Sequence, residues 1–445
     1  MEAEIGLSVY NRGVLSPWDP RWLPPIPVHQ RTDHEPEKEL ILISDHVAIL
    51  ADLVRRPSVN PMGRTVSGPE YLEGRVSEYL VQRFSAAGLP WARQNVAPGR
   101  DNVVAVLEAT EPGCPTILWD AHQDTVPVDG MTIAPFTPVI REGQLYGRGA
   151  CDVKGGMAAM LSAMEQLRQE PRRAFRVVFV ASVNEEFGFS GAKAIARLWQ
   201  SPIEASTSAD RPAAELLAGR PVAAVVAEPT ELNIVVTHKG AVRWRIIAHG
   251  RACHSAFPEQ GHNAIYVAAR AALAIEALAT ELSSRSTDHP CGPPTLSVGT
   301  IHGGLGVNLV PDAVVLEIDR RLLPGELADT ARQEVIDRIA TALGADAERL
   351  VTHEPPFLSS DGLPAEKEGT TAAMLLQAAA RCDHQSTTLA ARYGTNASIY
   401  AAAGVPSVVF GPGSISQAHT VDEWIDLSQL ATAAAILTAT VTHAS

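Results

Sequence analysis

Cysteine is scarce in this chain: Cys114, Cys151, Cys253, Cys291 and Cys382 are the five among 445 residues, and no C-x-x-C pair occurs. Such scatter argues against a disulfide framework and against a thiolate zinc site, and it fits a reducing compartment. Basic residues are also in deficit, with 36 Lys and Arg against 50 Asp and Glu and a formal charge of −14. Nucleic acids and anionic membranes attract basic surfaces, so neither is expected as a partner; small solutes and metal cations suit the balance better. Long apolar runs are missing too. No stretch reaches the ~18 residues needed to cross a bilayer, and the N-terminal segment has no signal-like apolar core. The expectation is a cytoplasmic protein. No internal repeat of fixed period is visible.

What is present is a globular composition. Hydrophobic residues make up 46% of the chain, enough to offset the entropy of folding. The length suits two large domains or three smaller ones. Residues 1–38, with "SPWDPRWLPPIPVHQRTDHEPEKE", are proline-rich and polar and read as an extended arm. Beyond it, "NVVAVLEA", "PTILWDA", "RVVFVASV", "VAAVVAE" and "VPSVVFG" are nearly continuous apolar strands, as in a parallel sheet covered on both faces. "GGMAAMLSAMEQLRQ" sets Met160, Leu161, Met164 and Leu167 at the spacing of a crossover helix. In "HKGAVRWRIIAHG" and "DAVVLEIDRRLLP" apolar and polar residues alternate, which marks a sheet with one wet face. The alanine-rich "NAIYVAARAALAIEALATEL" between them is a helix. The predicted fold is therefore α/β, a mainly parallel catalytic domain over residues 39–237 and 355–445, interrupted by an inserted α+β domain at 238–354.

In open parallel sheets ligands gather outside the carboxyl ends of the strands. His122 and Asp124 follow "TILWDA", and residues two apart on extended chain share a face. Asp152 follows in "GRGACDVKGG", Glu185 and Glu186 follow "RVVFVASV", Glu228 ends "VAAVVAE", and His419 lies beyond "VVFGPG". Taken singly, each reads equally well as a surface hydrogen bond, a helix cap or a solvated acid. Together they form a cluster of carboxylates that would repel itself without cations. Two imidazoles and three carboxylates with no sulfur suit a pair of divalent ions, zinc above all, with cobalt or manganese as alternatives. The remaining glutamate, Glu185, is then free to serve as a general base toward water activated by the two metals.

The motifs "DAHQDTVP", "GRGACDVKGGMAAML", "NEEFGFSGA", "AEPTELN", "CHSAFPEQGHNAI", "GGLGVNLVPDAVVLEIDRRLLPGE" and "VVFGPGSISQAHTVDEWI" together resemble the M20 metallopeptidase and deacylase family. That group includes acetylornithine deacetylase, succinyl-diaminopimelate desuccinylase and glutamate carboxypeptidase. The resemblance implies that His122, Asp152 and Glu228 hold one metal, and that Asp152 as a bridge, Glu186 and His419 hold the other. Asp124 would orient His122, and Glu185 would carry a proton from water to the leaving amine. It further implies a cis peptide bond after Asp152, and a lid and dimerisation role for the inserted domain. His254 would reach into the partner subunit's site in a homodimer, while Asn308 and Arg321 would bind polar groups of the substrate. Arg321 is preferred over Arg320 because its D-x-R spacing from Asp319 keeps it on the polar face. Gly411 and Gly413 would let substrate approach the backbone.

Two features depart from the pattern. Asn396 in "RYGTNAS" stands where relatives often carry an aspartate, and the N-terminal arm has no counterpart with a function. The reading is a metal-dependent amidohydrolase that removes the acyl group from an N-acyl amino acid. A glutamate at 228 resembles the deacylase and carboxypeptidase branch more than the carnosinase-like dipeptidases. A dipeptidase or carboxypeptidase of the same family is the alternative, and an inactive metal-binding or interaction protein is a further one. A nucleotide-binding oxidoreductase fails because "GGLG" at 303–306 precedes a sheet-like segment, not a crossover helix. A serine hydrolase fails for want of a G-x-S-x-G elbow.

Overall fold

The computed structural model describes residues 45–200, 207, 209–285, 287–366 and 369–443. The predicted arm over residues 1–38 lies outside the described residues.

In chain order the strands are β1 (Trp91–Ala97), β2 (Arg100–Leu107), β3 (Thr116–His122), β4 (Val139–Arg141), β5 (Gln144–Tyr146), β6 (Arg176–Ser182), β7 (Ala223–Val226) and β8 (Ile234–His238). Next come β9 (Gly240–His249), β10 (Cys253–His254), β11 (Thr295–Gly303), β12 (Leu309–Val310), β13 (Ala313–Leu322), β14 (Val351–His353) and β15 (Leu358–Ser360). The last are β16 (Thr388–Ala391), β17 (Ser407–Phe410) and β18 (Trp424–Asp426). The large sheet has the order β1-β2-β6-β3-β7-β17-β8-β16. Its centre, β6-β3-β7-β17, is parallel throughout, and antiparallel pairings flank it.

Burial on both faces explains the continuous apolar runs. Alternate residues Val104, Val106, Leu118, Val178 and Val180 pack under the helices Ser190–Gln200, Arg211–Leu217 and Ala397–Ala402. Their neighbours Val103, Ala105, Ile117, Trp119, Val177 and Phe179 face the opposite layer. That layer is built from the helices Asp45–Val54, Gly74–Ala86, Gly155–Gln169, Thr370–Arg381 and Leu427–Thr442. Met160, Leu161, Met164 and Leu167, the predicted stripe, are all buried there. A strand with helices on both sides has no polar face to show, so periodicity two disappears from its hydropathy.

The second sheet, β11-β13-β9-β14 with β15 also on β9, is antiparallel. Here the alternation survives. Val242, Trp244, Ile246 and Ala248 of β9 and Val314, Leu316 and Ile318 of β13 pack on the helices Ala264–Ser284 and Ala328–Leu343. The opposite face carries cross-strand ion pairs: Arg243 lies opposite Asp319 and Arg245 opposite Glu317, at 2.7 and 2.9 Å. Arg320 is buried on the packed side and donates to Glu326 at 2.8 Å, whereas Arg321 belongs to the wet face. The fold is thus the mixed α/β arrangement expected, with the crossings between sheets at His238–Gly240 and after Ser360.

His238, at the first crossing, is fully buried and neutral in its preferred form. Nδ1–H donates to the Lys239 carbonyl at 2.9 Å, and Nε2 accepts from Thr395 Oγ1 at 3.0 Å. Burial pushes it from 6.5 down to about 4. The unfolded chain therefore binds this proton first as pH falls. The stability contributed is complete above pH 6.5 and is lost toward pH 4, a loss of ~3 kcal/mol. Denaturant unfolding across that window should show a shallower pH slope for His238→Asn than for the wild-type protein.

Candidate active site

Four neighbouring strands aim their carboxyl ends at one place. His122 is the last residue of β3; Glu185 and Glu186 follow β6 after the turn residue Asn184, which has a φ of 59°; Glu228 follows β7; and His419, with a φ of 60°, follows β17. Asp152 comes from the turn Ala150–Lys154 that enters the helix Gly155–Gln169, and the peptide bond from Asp152 to Val153 is cis.

The carboxylate of Asp152 is shared. Its Oδ1 lies 3.0 Å from His122 Nε2, and its Oδ2 lies 3.3 Å from His419 Nε2. Glu228 Oε1 stands 4.0 Å from His122 Nε2, and Glu186 Oε2 stands 3.1 Å from His419 Nε2. Ligand atoms of His122, Glu185 and Glu228, and likewise of His122, Asp152 and Glu186, cluster closely enough to surround an ion. All are buried except His419, whose side chain is 55% exposed, and Glu186, which is mostly covered.

A cation fits this donor set. His122 Nδ1 pairs with the carbonyl of Asp124 at 2.9 Å, a contact that requires Nδ1–H in the neutral ring and leaves the Nε2 lone pair facing the Asp152 carboxylate. Two acceptors 3.0 Å apart need a proton or a metal between them. In addition, Glu186 Oε1 is buried without a hydrogen-bond partner. The electrostatics agree. Burial, with the charges of Asp152 and Glu185, pushes Glu228 well above the usual carboxylate range, and burial raises Glu185 in the same way, reinforced by Glu186, Asp152 and Asp124. Burial and Asp152 also raise Glu186. For His122 burial favours the neutral ring, but the bond to Asp152 and the surrounding carboxylates hold it well above its ordinary value. Hydrogen bonds to Asp152 and Glu186 lift His419 to about 11. Burial disfavours the Asp152 anion, yet His122 and His419 outweigh that and keep it well below the usual range. A site that draws protons so strongly is deficient in positive charge.

Asp124 acts on the cluster in two ways. Its carbonyl, not its carboxylate, holds His122; the nearest carboxylate oxygen is 3.8 Å from Nδ1. The carboxylate instead accepts from the backbone N–H groups of Glu185 and Glu186, at 3.1 and 3.2 Å, and from Asn60 Nδ2 at 2.8 Å. Asp124 thus contacts the His122 ring through its carbonyl, while the bend after His122 turns its carboxylate toward the β6 turn. Arg100 supports that turn from behind: it pairs with buried Glu73 at 2.7 Å and donates to Asn184 Oδ1 at 2.6 Å.

Glu423 was not singled out from the sequence. Its buried carboxylate accepts from the backbone N–H groups of Gly149, Cys151 and Asp152 at 2.8, 2.8 and 2.9 Å, and pairs with Arg148 at 2.9 Å. It fixes the turn that presents Asp152. Removing one side of a buried, hydrogen-bonded ion pair costs about 3–5 kcal/mol, so Glu423→Ala should lose that much in denaturant unfolding. Its signal was present as "AHTVDEWI", but its partners lie more than 270 positions away.

Other expected residues are placed as follows. Arg321 lines a cavity of about 260 Å³ together with Asp152, Glu185, Glu186, Glu228 and His419. His254 and Asn308 are exposed on neighbouring segments, and neither lines that cavity. His254 Nδ1 accepts from the Ala256 N–H at 3.0 Å, so its Nε2–H is available as a donor. Gly411 and Gly413 do not line the cavity either. A Cβ at Gly411 would come within 2.6 Å of the Glu228 carbonyl, and one at Gly413, where φ is 90°, within 2.6 Å of Cys151 Sγ. Both make room for the chain's own backbone and thiol. Asn396 is buried and donates to Asp120 Oδ2 at 2.9 Å and Ser182 Oγ at 3.0 Å. An amide suits this position, since an aspartate there would face the Asp120 carboxylate.

Among the described residues no helix is long and apolar enough to cross a membrane. The chain matches the model of peptidase family M20/M25/M40 over residues 118–443. It is 29% identical over 379 residues to acetylornithine deacetylase of Myxococcus xanthus, covering 82% of this chain and 91% of that relative. Among solved structures, an M20 family metallo-carboxypeptidase from Sulfolobus solfataricus superposes with a TM-score of 0.72 at 15% identity, covering 89% of this chain and 98% of that one. A tripeptidase from Staphylococcus aureus superposes with a TM-score of 0.67 at 22% identity, covering 89% and 97%. Matched over most of its length and carrying the strand-end cluster described above, the chain belongs to peptidase family M20/M25/M40 and is a hydrolase of that family.

Proposed function

We propose that the protein is a dinuclear metal-dependent amidohydrolase that removes the acyl group from an N-acyl amino acid. The observation that carries this reading is the division of the Asp152 carboxylate between His122 and His419. Around that bridge, His122 with Glu228 would hold one ion, and Glu186 with His419 the other. When bound, the two ions supply Lewis acidity and lower the pKa of a water. Zinc fits the donor set best, with cobalt or manganese as alternatives.

Glu185 then has no ligand to be. Buried beside the cluster and in the cavity wall, it takes the proton of the attacking water and delivers it to the leaving nitrogen. Asp124 holds Glu185 and Glu186 through their backbone N–H groups and His122 through a carbonyl, so one residue sets three others. Residues 238–354, which form the second sheet apart from its short strand β15 together with its helices, act as the lid. His254 and Asn308, which do not line the cavity of their own chain, serve the site of a second copy in a homodimer, with His254 Nε2–H donating to the developing oxyanion. Exposed Ile265, Tyr266, Leu273 and Ile301 on the lid support such an interface. The free thiols of all five cysteines suit the cytoplasm. The 29% identical relative, an acetylornithine deacetylase, supports the acylamino acid class.

The test is hydrolysis of acetyl-ornithine, succinyl-diaminopimelate, acyl-glutamates and simple dipeptides by protein loaded with zinc or cobalt. Release of a carboxylate from an acylamino acid, lost on chelation and regained on adding metal, is the expected result. Turnover of dipeptides alone would move the assignment to a dipeptidase. No turnover of any amide by folded, metal-loaded protein would remove the hydrolytic assignment.

A further inference from the structure

Beyond the acidic cluster, the charged groups in the cavity wall are Arg243 and Arg321. They stand on adjacent strands and lean on one carboxylate. Arg243 Nε donates to Asp319 Oδ2 at 2.7 Å, and Arg321 Nε lies 2.8 Å from Asp319 Oδ1. The pairing register produces this arrangement: Asp319 lies opposite Arg243, and Arg321 lies opposite the small Ala241, which also faces the cavity. Arg243 spends its Nε on Asp319 in a hydrogen bond, whereas Arg321 is held beside the same carboxylate by charge alone, Asp319 Oδ1 having no hydrogen-bond partner. Among the described residues, no acceptor takes the terminal nitrogens of either one. Two cations against one anion leave one positive charge unmatched, on side chains about one quarter exposed.

The rest of the wall is different in kind. Met62, Val126, Phe189, Leu358 and Ile415 are apolar, Ser360 and Tyr393 are polar but neutral, and every carboxylate lining the cavity belongs to the cluster of Asp152, Glu185, Glu186 and Glu228. A substrate ammonium group would find no carboxylate there that the cluster does not already engage.

Resting on the amidohydrolase reading, we propose that Arg243 is a specificity residue. With Arg321 it clamps a single substrate carboxylate between two guanidinium forks held on Asp319, and the substrate side chain beyond it is uncharged. The preferred class is then the N-acyl derivative of an apolar α-amino acid, with a cationic side chain such as that of ornithine disfavoured. Planar forks suit a carboxylate because they bind both of its oxygens, which an ammonium group does not reproduce.

The experiment uses the metal-loaded full chain with N-acetyl-leucine, N-acetyl-leucinamide and N-acetyl-ornithine, and compares wild type with Arg243→Gln and Arg243→Lys. Wild type should favour N-acetyl-leucine over both others. Arg243→Gln should raise KM for N-acetyl-leucine by about 10- to 100-fold with a much smaller change in kcat, Arg243→Lys should recover part of that loss, and the amide should suffer several-fold less. Equal losses on acid and amide would overturn the clamp, and a wild-type preference for N-acetyl-ornithine would overturn the assignment of an uncharged substrate side chain. Calorimetric binding of N-acetyl-leucine to Glu185→Gln protein, with and without Arg243→Gln, separates the two readings. Binding that depends on Arg243 without any wild-type turnover keeps the clamp and removes the hydrolase assignment. Turnover or binding indifferent to Arg243, or no binding at all, removes the clamp.

Discussion

Replacing Glu185 by glutamine is expected to lower kcat by about 10²–10⁴-fold, the usual contribution of a positioned general acid–base group, while the protein still binds about two metal ions. The reason is positional. Glu185 lies in the buried wall of the cavity beside Asp152, but Asp152, His122, His419, Glu186 and Glu228 would already supply donors for the two proposed ions. Its backbone N–H is held at 3.1 Å by Asp124, so an isosteric amide keeps the fold of the turn and removes only the proton acceptor. Metal content by elemental analysis and kcat on the best substrate together check this. A variant of unchanged activity would transfer the base to another group. A variant that loses metal along with activity would make Glu185 a ligand, a role its closeness to His122 and Glu228 permits.

Glu228→Gln should give two effects of opposite sign. In the metal-free protein, burial first, and then the charges of Asp152 and Glu185, push the Glu228 carboxyl well above its ordinary value. A group whose folded pKa is raised binds its proton more tightly in the folded state. Its cost to stability therefore appears as pH climbs above the unfolded value of 4.5 and is in force at neutral pH. The glutamine carries no such cost, so metal-free Glu228→Gln should melt above metal-free wild type at pH 7. With metal the order reverses. A ligand bound only by the folded state adds ~2.7 kcal/mol at a concentration of 100 Kd, and the variant, short of one carboxylate, should forfeit much of that gain for one ion. Scanning calorimetry of both proteins, stripped and then titrated with zinc, measures both signs. A metal-free variant that melts below wild type would mean that Glu228 is stabilising without a cation, and would contradict the charge-deficient description of the site.

The residues of the cluster were readable from sequence because two local signals coincide. At three apolar strand runs a His or carboxylate stands at the end or within a few residues of it, His122, Glu185 with Glu186, and Glu228, while Asp152 and His419 follow in the glycine-bearing segments "GRGACDVKGG" and "GPGSISQAHT". In a parallel sheet such ends converge whatever the intervening chain does. What supports the cluster was not readable. Asn60, Glu73, Arg100 and Glu423 are ordinary polar residues by type, and their partners lie 64, 27, 84 and 272 positions away. Arg243 illustrates the same limit. Strand alternation assigns it to a wet face, but its place in the cavity depends on the register that sets Asp319 across from it. Gly411 and Gly413, read as room for substrate, turn out to make room for Glu228 and Cys151, because glycine announces close approach without saying what approaches.

By itself, then, the sequence determined the fold class, the presence of two kinds of sheet and the residue types of an all-oxygen and imidazole cluster. These follow from hydropathy period and donor chemistry, which are local properties of the chain. The tertiary structure alone decided which oxygen faces which imidazole, that the Asp124 carboxylate holds the Glu185–Glu186 turn while its carbonyl holds His122, and that one aspartate sets two arginines side by side in the cavity wall. Those are choices among partners far apart in sequence, made by strand order, register and the burial that forces every polar group to find a partner.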